Sequence, residues 1–495
     1  MPLDGPFSWH EAHLVSEEGW NMMGVTFPGS AVLTIGSNNL LGWTHTVNHP
    51  DLTDVYHLEI HPDDPDLYRF GSEWLRLEKK ETKLRVRAVL GVKLQVKKEI
   101  LHSVFGPVIR TEKGTFAIRT TVFQRIGACE QWYRMSKSQN FSQFREALGL
   151  QQIPSLNVLY ADRSDTIMYL NNGLFPYRDP AFDWTSILDG TNPATLWEPD
   201  FHPLEDLPMV INPEQGFLFN TNNSPFKCVP FGPNPDPAAF DPTMGFRMFE
   251  NNRSTRVREM VSGMGKIGLQ DLKRIKYDIR MPDSIRFQVD LMAFWDLDEN
   301  RYQDLAPAIR KLHQWNRSSA ATNEDAALFL LAWENLYERL HLHDSEPPYG
   351  LRLPEHYYVE ALSDAARTLE KQFGSLDVPL GALQRYIRGE KNYPLSGMPD
   401  VLAFMYALPQ KKGARKAMIG DSFVGFIRFG KKETAFETVL PYGASANPES
   451  PHFSDQMDLM HMHQTKQMTF DRLSILQQAE AVYSPSPTGL WAGKD

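Results

Sequence analysis

The sequence predicts an α+β protein on three observations. The first third consists of short β-prone runs separated by turn residues, the middle repeats apolar residues at the helical period, and strand pattern returns after residue 420. In the first third, Ala31–Ile35 and Leu40–Val47 flank Gly36-Ser37-Asn38-Asn39, which predicts a strand, a turn and a second strand. Leu84–Val89 and Val92–Val96 lie on either side of Gly91 and predict a hairpin. Asn157–Ala161 and Thr166–Leu170 form another such pair around Asp162-Arg163-Ser164-Asp165, a set of turn-favouring residues.

Phe175–Val210 is rich in Pro and Trp without periodicity and reads as a long ordered loop. Ser254–Met260 then opens a helix that Gly263 can end, and Leu269–Ile279, Tyr302–Trp315 and Glu324–Leu342 continue the helical spacing. Ala326–Trp333 is apolar on all sides, as a fully buried helix is. His356–Phe373 and Leu380–Ile387 complete the predicted helices, and Phe423–Phe429 with Thr434–Leu440 return to strand.

A chain of 495 residues exceeds one ordinary core, so it predicts a large multi-layer domain with an elaborating subdomain, or two to three domains. Its 42% apolar and 12% aromatic residues suit a well-packed soluble globule, and no uninterrupted apolar run is long enough to cross a bilayer. The net charge of -10, without a Lys/Arg-rich block, argues against nucleic acid as the main partner; Lys411-Lys412 with Arg415-Lys416 is too brief a patch. Cys129 and Cys228 lie far apart with no C-x-x-C spacing, which argues against a zinc knuckle or disulfide framework and leaves open one disulfide or two free thiols. The start, MPLDGPFSW, has no charged region followed by an apolar stretch, so the chain as written is expected to stay in the cytoplasm.

The residues that point to chemistry are concentrated in two stretches, LLGWTHTVNHPDLTDVY from Leu40 to Tyr56 and VINPEQGFLFNTNNSP from Val210 to Pro225. Attack on an amide places negative charge on its carbonyl oxygen, and fixed N–H donors lower that barrier. The first stretch ends a strand near Val47, where a main-chain N–H leaves the ladder and can face a cleft; taken alone it is also a hairpin strand with Trp43 in the core. In the second, Asn220–Pro225 follows a short apolar strand, Phe217-Leu218-Phe219, and a carboxamide is a neutral donor; taken alone it is also an Asx-turn. His461-Met462-His463 and His341-Leu342-His343-Asp344 have metal-like spacing but lack a further ligand.

Together GPFSWHEAHL, MMGVTFPGSAVLTIGSNNLLGWTHTV, NPEQGFLFNTNNSP, RSTRVREM and SPHFSDQMDL resemble the catalytic subunit of the penicillin acylase family, N-terminal-nucleophile hydrolases. The likeness spans nearly the whole chain and is greatest to the acyl-homoserine-lactone and aculeacin acylase branch. It implies a four-layer αββα sandwich: a β-rich core over residues 1–264, a largely helical insertion over 265–416, and a C-terminal return to the core over 417–495. It implies hydrolysis of a linear amide (an acyl-homoserine lactone, lipopeptide or β-lactam side chain) to acid and amine, with no cofactor required. In such enzymes an N-terminal serine attacks and its own α-amine acts as base.

By this resemblance Val47 supplies the main-chain oxyanion donor, Asn222 the side-chain donor, and Arg256 the helix arginine that orients the site. Phe7, Trp9, Met23 and Phe27 lie in segments that match acyl-pocket walls, with aromatic core packing as the other reading. Asp51 and Asp54 match positions where some members bind a structural calcium, a hard ion that favours close carboxylate oxygens; a solvated loop pair is the other reading. Met1-Pro2 offers no hydroxyl or thiol, and the family's small acylase subunit has no counterpart in the sequence. The expectation is therefore an acylase chain acting on a small acyl amide but inactive as written, or else a non-catalytic acyl-ligand-binding remnant or partner subunit. Family members are usually periplasmic or secreted.

Overall fold

Two antiparallel sheets face each other, and helices cover their outer sides. The computed structural model describes residues 1–87, 93–340, 350–410, 414–431 and 433–482. The first sheet has seven strands in the order His10–Ser16, Trp20–Thr26, Ile35–Ser37, Leu41–Thr46, Ser155–Asp162, Ile167–Gly173 and Met209–Ile211. Strand alternation puts Trp43, Val158, Tyr160 and Met168 on one face, where Met135, Phe144 and Leu148 of the helices Ala128–Lys137 and Phe141–Leu148 bury them. The Trp43 indole N–H donates to the Thr34 carbonyl at 2.9 Å, so the ring is buried without an orphaned donor.

Thr44, Leu159, Ala161 and Ile167 point the other way, into a cavity of about 470 Å³ whose far wall includes Gly425, Ile427 and Phe436. These belong to the second sheet, Val424–Phe429, Thr434–Val439 and Lys466–Met468. The helix Leu269–Lys276 covers that sheet: Leu269 packs against the cluster that holds Val424 and Phe426, and Lys273 Nζ reaches Glu437 Oε2 at 2.6 Å. Helix, sheet, sheet, helix is the αββα order expected.

Beside this core, Leu188–Asp189, Thr53–Leu58, Gly114–Thr120, Gly106–Thr111, Lys93–Ser103 and Glu78–Arg87 form a six-stranded sheet. Its last two strands are the predicted hairpin, although Gly91 lies outside the described residues, as do Ala88, Val89 and Val92. The helical body packs around Phe329, which is fully buried against Trp315 and Trp333 in the helix Ala326–Arg339. Leu342, the His341–Asp344 motif and Lys411-Lys412 also fall outside the described residues. Among the described residues no helix is long and apolar enough to cross a membrane.

Four expectations about elements need correction. Residues 31–34 are not strand: Thr34 N and Thr26 Oγ1 bond Val25 O and Val32 O, closing a compact loop, and only Ile35–Ser37 joins the ladder. Phe217-Leu218-Phe219 is not a strand either, because the backbone turns through positive φ at Gly216 (63°) and again at Asn222 (68°). The helix predicted over Leu380–Ile387 ends at Leu383, and Gln384–Arg388 is a strand held by the buried Gln384 amide, which donates to Leu395 O and Gly397 O. That strand pairs with Arg415–Gly420 in a four-stranded sheet, so the boundary placed at residue 416 falls inside a strand. Long-range pairing overrides local helical spacing here. Cys129 and Cys228 are both free thiols.

Candidate active site

Asn222 is the residue around which the two sequence stretches meet. Its φ of 68° is left-handed, a conformation asparagine tolerates better than most side chains. Its own N–H donates to Asn220 Oδ1 at 2.8 Å, which holds the turn. The same Asn220 oxygen accepts from Thr46 Oγ1 at 2.5 Å and Asn157 Nδ2 at 3.2 Å, tying the loop to the ends of the two central strands. Asn222 Nδ2 then donates to Val47 O at 2.7 Å, one residue past the last ladder pair, Thr46 with Asn157.

An asparagine amide has two orientations, and the partner of its oxygen decides between them. Here Arg253 Nη1 donates to Asn222 Oδ1 at 3.0 Å, so the nitrogen must face Val47. Arg253 is fixed in turn by Asp400 Oδ1, 3.0 Å from Nε, while Asp400 Oδ2 accepts from Asn252 Nδ2 at 2.8 Å. The helix that carries it, Asn252–Val261, starts where it does because Asn251 caps it: Asn251 Oδ1 accepts from Ser254 N at 2.9 Å and Asn251 Nδ2 donates to Thr221 O at 2.7 Å. The cap thereby joins the helix to the asparagine turn.

Arg256, the arginine expected to orient the site, does not reach it. It makes a two-pronged ion pair with Asp278 at 2.9 and 3.1 Å and a third contact with Glu259. Arg253 lies three residues earlier on the same helix and is the arginine that bonds Asn222. The pattern NRSTR contains both arginines at helical spacing, and only the position of Asp400, far away in sequence, separates them.

Val47, Asn222, Arg253 and Asp400 open onto a cavity of about 450 Å³, completed by His49, Arg247, Phe249, Asn251, Phe287 and Gln288. No hydroxyl or thiol is among these lining residues. The α-amine of Met1 feels both Asp421 and Arg253, and burial outweighs the acid and holds it below its usual range. The expected acyl-pocket residues gather elsewhere: Phe27 stacks on Trp9 at 4.0 Å with Phe7 at its edge, while Met23 is buried within its strand. None of the four lines the Asn222 cavity. Asp51 and Asp54 contact Arg178, and burial pushes the Asp54 carboxyl up to about 6 against the pull of Arg178 and the Trp197 N–H, with Asp51 adding to the rise.

His45, two residues before Val47, is locked as a neutral ring: Nε2 accepts from Trp132 Nε1 at 3.1 Å, so Nδ1 donates to Asn157 O at 3.1 Å. Burial pushes its pKa down to about 4, partly opposed by that carbonyl. A histidine held neutral in the fold contributes stability that is complete above about pH 6.5 and is lost as pH falls towards 4, because the unfolded chain takes up a proton the folded chain refuses. The full effect is on the order of 3 kcal/mol. Asp54 acts in the opposite sense between about 4 and 6, so the comparison with a His45→Gln variant isolates the histidine. The melting temperature of the parent is expected to fall more steeply between pH 7 and pH 5 than that of His45→Gln; parallel curves would show that the ring is not held neutral.

The family model for penicillin amidase matches residues 1–477. The acyl-homoserine lactone acylase PvdQ of Pseudomonas putida is 23% identical over 98% of this chain, and that of Pseudomonas fluorescens is 24% identical over 96%; the chain spans 66% of the length of each. Penicillin G acylase of Escherichia coli is 24% identical over 43% of this chain and 25% of its own length. Among solved structures, the thermostable penicillin G acylase from Alcaligenes faecalis superposes with a TM-score of 0.66 over 97% of this chain and 95% of the other, at 17% identity, a likeness of fold. The chain belongs to the penicillin amidase family of amidohydrolases, with the N-terminal-nucleophile hydrolase fold.

Proposed function

We propose that this chain supplies the oxyanion site of an enzyme that hydrolyses the carbon–nitrogen bond of a linear, non-peptide amide to a carboxylic acid and an amine. The observation that carries this reading is the Asn222 carboxamide, set beside Val47 at the cavity wall with its orientation fixed by Arg253. When a nucleophile adds to the amide carbon, the carbonyl oxygen becomes an anion, and donors already in place stabilise it without reorganising. One Nδ2 hydrogen of Asn222 is bonded to Val47 O, and the second, with the Val47 main-chain N–H, is assigned to the anion. Arg253 draws electron density through Oδ1 and makes the Asn222 N–H a stronger donor.

Acyl-homoserine lactones and related fatty-acyl amides are the favoured substrates, because the acylases named for that substrate match 96–98% of the chain and penicillin G acylase 43%. No redox or nucleotide cofactor is invoked. Since no hydroxyl or thiol is among the described residues that line the cavity, the attacking group, and with it a small acylase subunit, is assigned to polypeptide beyond the residues of this wall. The same observation favours a second reading, a non-catalytic acyl-binding chain.

In a form carrying an N-terminal nucleophile, Asn222→Ala is expected to lower kcat by roughly 10² to 10³, the effect of losing one oxyanion donor. Arg253→Ala is expected to lower kcat as well, and Arg256→Ala to leave kcat within a few fold; the reverse order of the two arginines would overturn the assignment. The 495-residue chain alone is expected to show no amide hydrolysis when its N-terminus is confirmed by mass spectrometry. Robust turnover of an acyl-homoserine lactone that Asn222→Ala abolishes would place the nucleophile within these residues.

A further inference from the structure

Asp51 and Asp54 carry the expectation of a calcium site, and the structure puts a guanidinium there instead. We propose that Arg178 is a built-in cation standing where a divalent ion would otherwise sit, and that it fastens the loop following Val47 to the opposite wall of the active-site cavity.

The Arg178 and Asp54 side chains are both fully buried, and Nε and Nη2 each lie 3.0 Å from Asp54 Oδ2. Arg178 Nη1 donates to Asp51 O at 3.0 Å and Thr243 O at 2.8 Å, and lies 3.5 Å from Asp51 Oδ2. Two carboxylates and two main-chain carbonyls therefore converge on one centre, which is the donor set a calcium ion takes. Asp54 Oδ1 is buried with no hydrogen-bond partner, a further oxygen of that set left unmet by the guanidinium.

A divalent ion does not fit alongside Arg178. The guanidinium fills the centre, lies against the Trp184 and Trp197 rings at 5.3 and 5.6 Å, and would repel a second cation beside the fully buried Asp54 carboxylate. Trp197 Nε1 donates to Asp54 Oδ2 at 2.5 Å, so the same indole that packs on the cation also holds its counterion. Arginine suits this position because it keeps its charge when buried and spreads its donors in a plane, which serves Asp54 on one edge and the two carbonyls on another.

The consequence reaches the oxyanion strand. Asp51 is four residues beyond Val47, and its Cβ packs closely against Gly245, where a side chain would collide with it at 2.6 Å. Thr243 and Gly245 lead directly into Arg247, Phe249 and Asn251 of the cavity wall. Arg178 thus acts as a positioning residue, through Asp51 and Thr243. The inference holds whatever amide the chain acts on, because its test is a stability measurement.

The experiment is thermal unfolding of the full chain in EDTA and in millimolar calcium chloride, with calcium titration calorimetry. The parent is expected to melt at the same temperature in both and to take up no calcium at this site. Arg178→Ala, which leaves the buried Asp54 and the partly buried Asp51 uncompensated, is expected to melt lower in EDTA by about 5 °C or more and to recover several degrees in calcium. Arg178→Gln, which keeps most of the packing and removes the charge, is expected to gain the same calcium dependence, and Arg178→Lys to remain indifferent to calcium. A parent whose melting temperature rises with calcium would overturn the proposal. So would Arg178→Ala and Arg178→Gln proteins that are indifferent to calcium, or that stay insoluble at every calcium concentration.

Discussion

The site depends on a single carboxamide held from both sides. Asn222 gives its oxygen to Arg253 and one nitrogen hydrogen to Val47 O, and each bond forbids the amide from flipping. An oxyanion donor is useful only when its direction is settled before charge develops, since reorientation during reaction would cost part of the stabilisation. Asp400 fixes Arg253, the Asn251 cap fixes the helix, and the left-handed backbone at Asn222 aims the side chain.

Behind Asn222 lies a polar network built into the seven-stranded sheet. Asn157 donates to Asn220 Oδ1 and accepts from Tyr169 OH at 2.9 Å and Asn171 Nδ2 at 3.0 Å. Buried polar groups of this kind are favourable only when their partners are present, and then they impose one geometry. The network explains why an asparagine-rich loop can sit at the end of a buried strand without loosening it. On the far side the Arg178 ion pair acts in parallel, holding the chain after Val47 while the network holds the chain before it.

Much of this was legible in the sequence, and the exceptions share a cause. The hairpin around Asp162–Asp165, the strands at Phe423–Phe429 and Thr434–Leu440 and the buried helix at Ala326–Trp333 follow from local pattern. Asn222 and Val47 stand in local motifs, and the structure brings the two together. Arg253 and Arg256 are one helical turn apart, and what separates them is distant in sequence: Asp400, over a hundred residues away, holds Arg253, while Asp278 holds Arg256. Asp51 and Asp54 read as an open acidic pair for the same reason: Arg178, which neutralises them, carries no local signal in a Pro- and Trp-rich loop. Gln384–Ile387 reads as helix because the partner strand is distant. Short-range periodicity shows elements; the pairing of charges and strands across long intervals does not show in it.

The central claim is that Arg253 acts through Asn222 and not on its own account. A double-mutant cycle on kcat, in a form of the enzyme that carries its nucleophile, measures this directly. If the claim holds, Arg253→Ala added to Asn222→Ala has little further effect, and the double variant is about as slow as Asn222→Ala alone. Additive losses, with the double variant slower by the product of the two single effects, would contradict it.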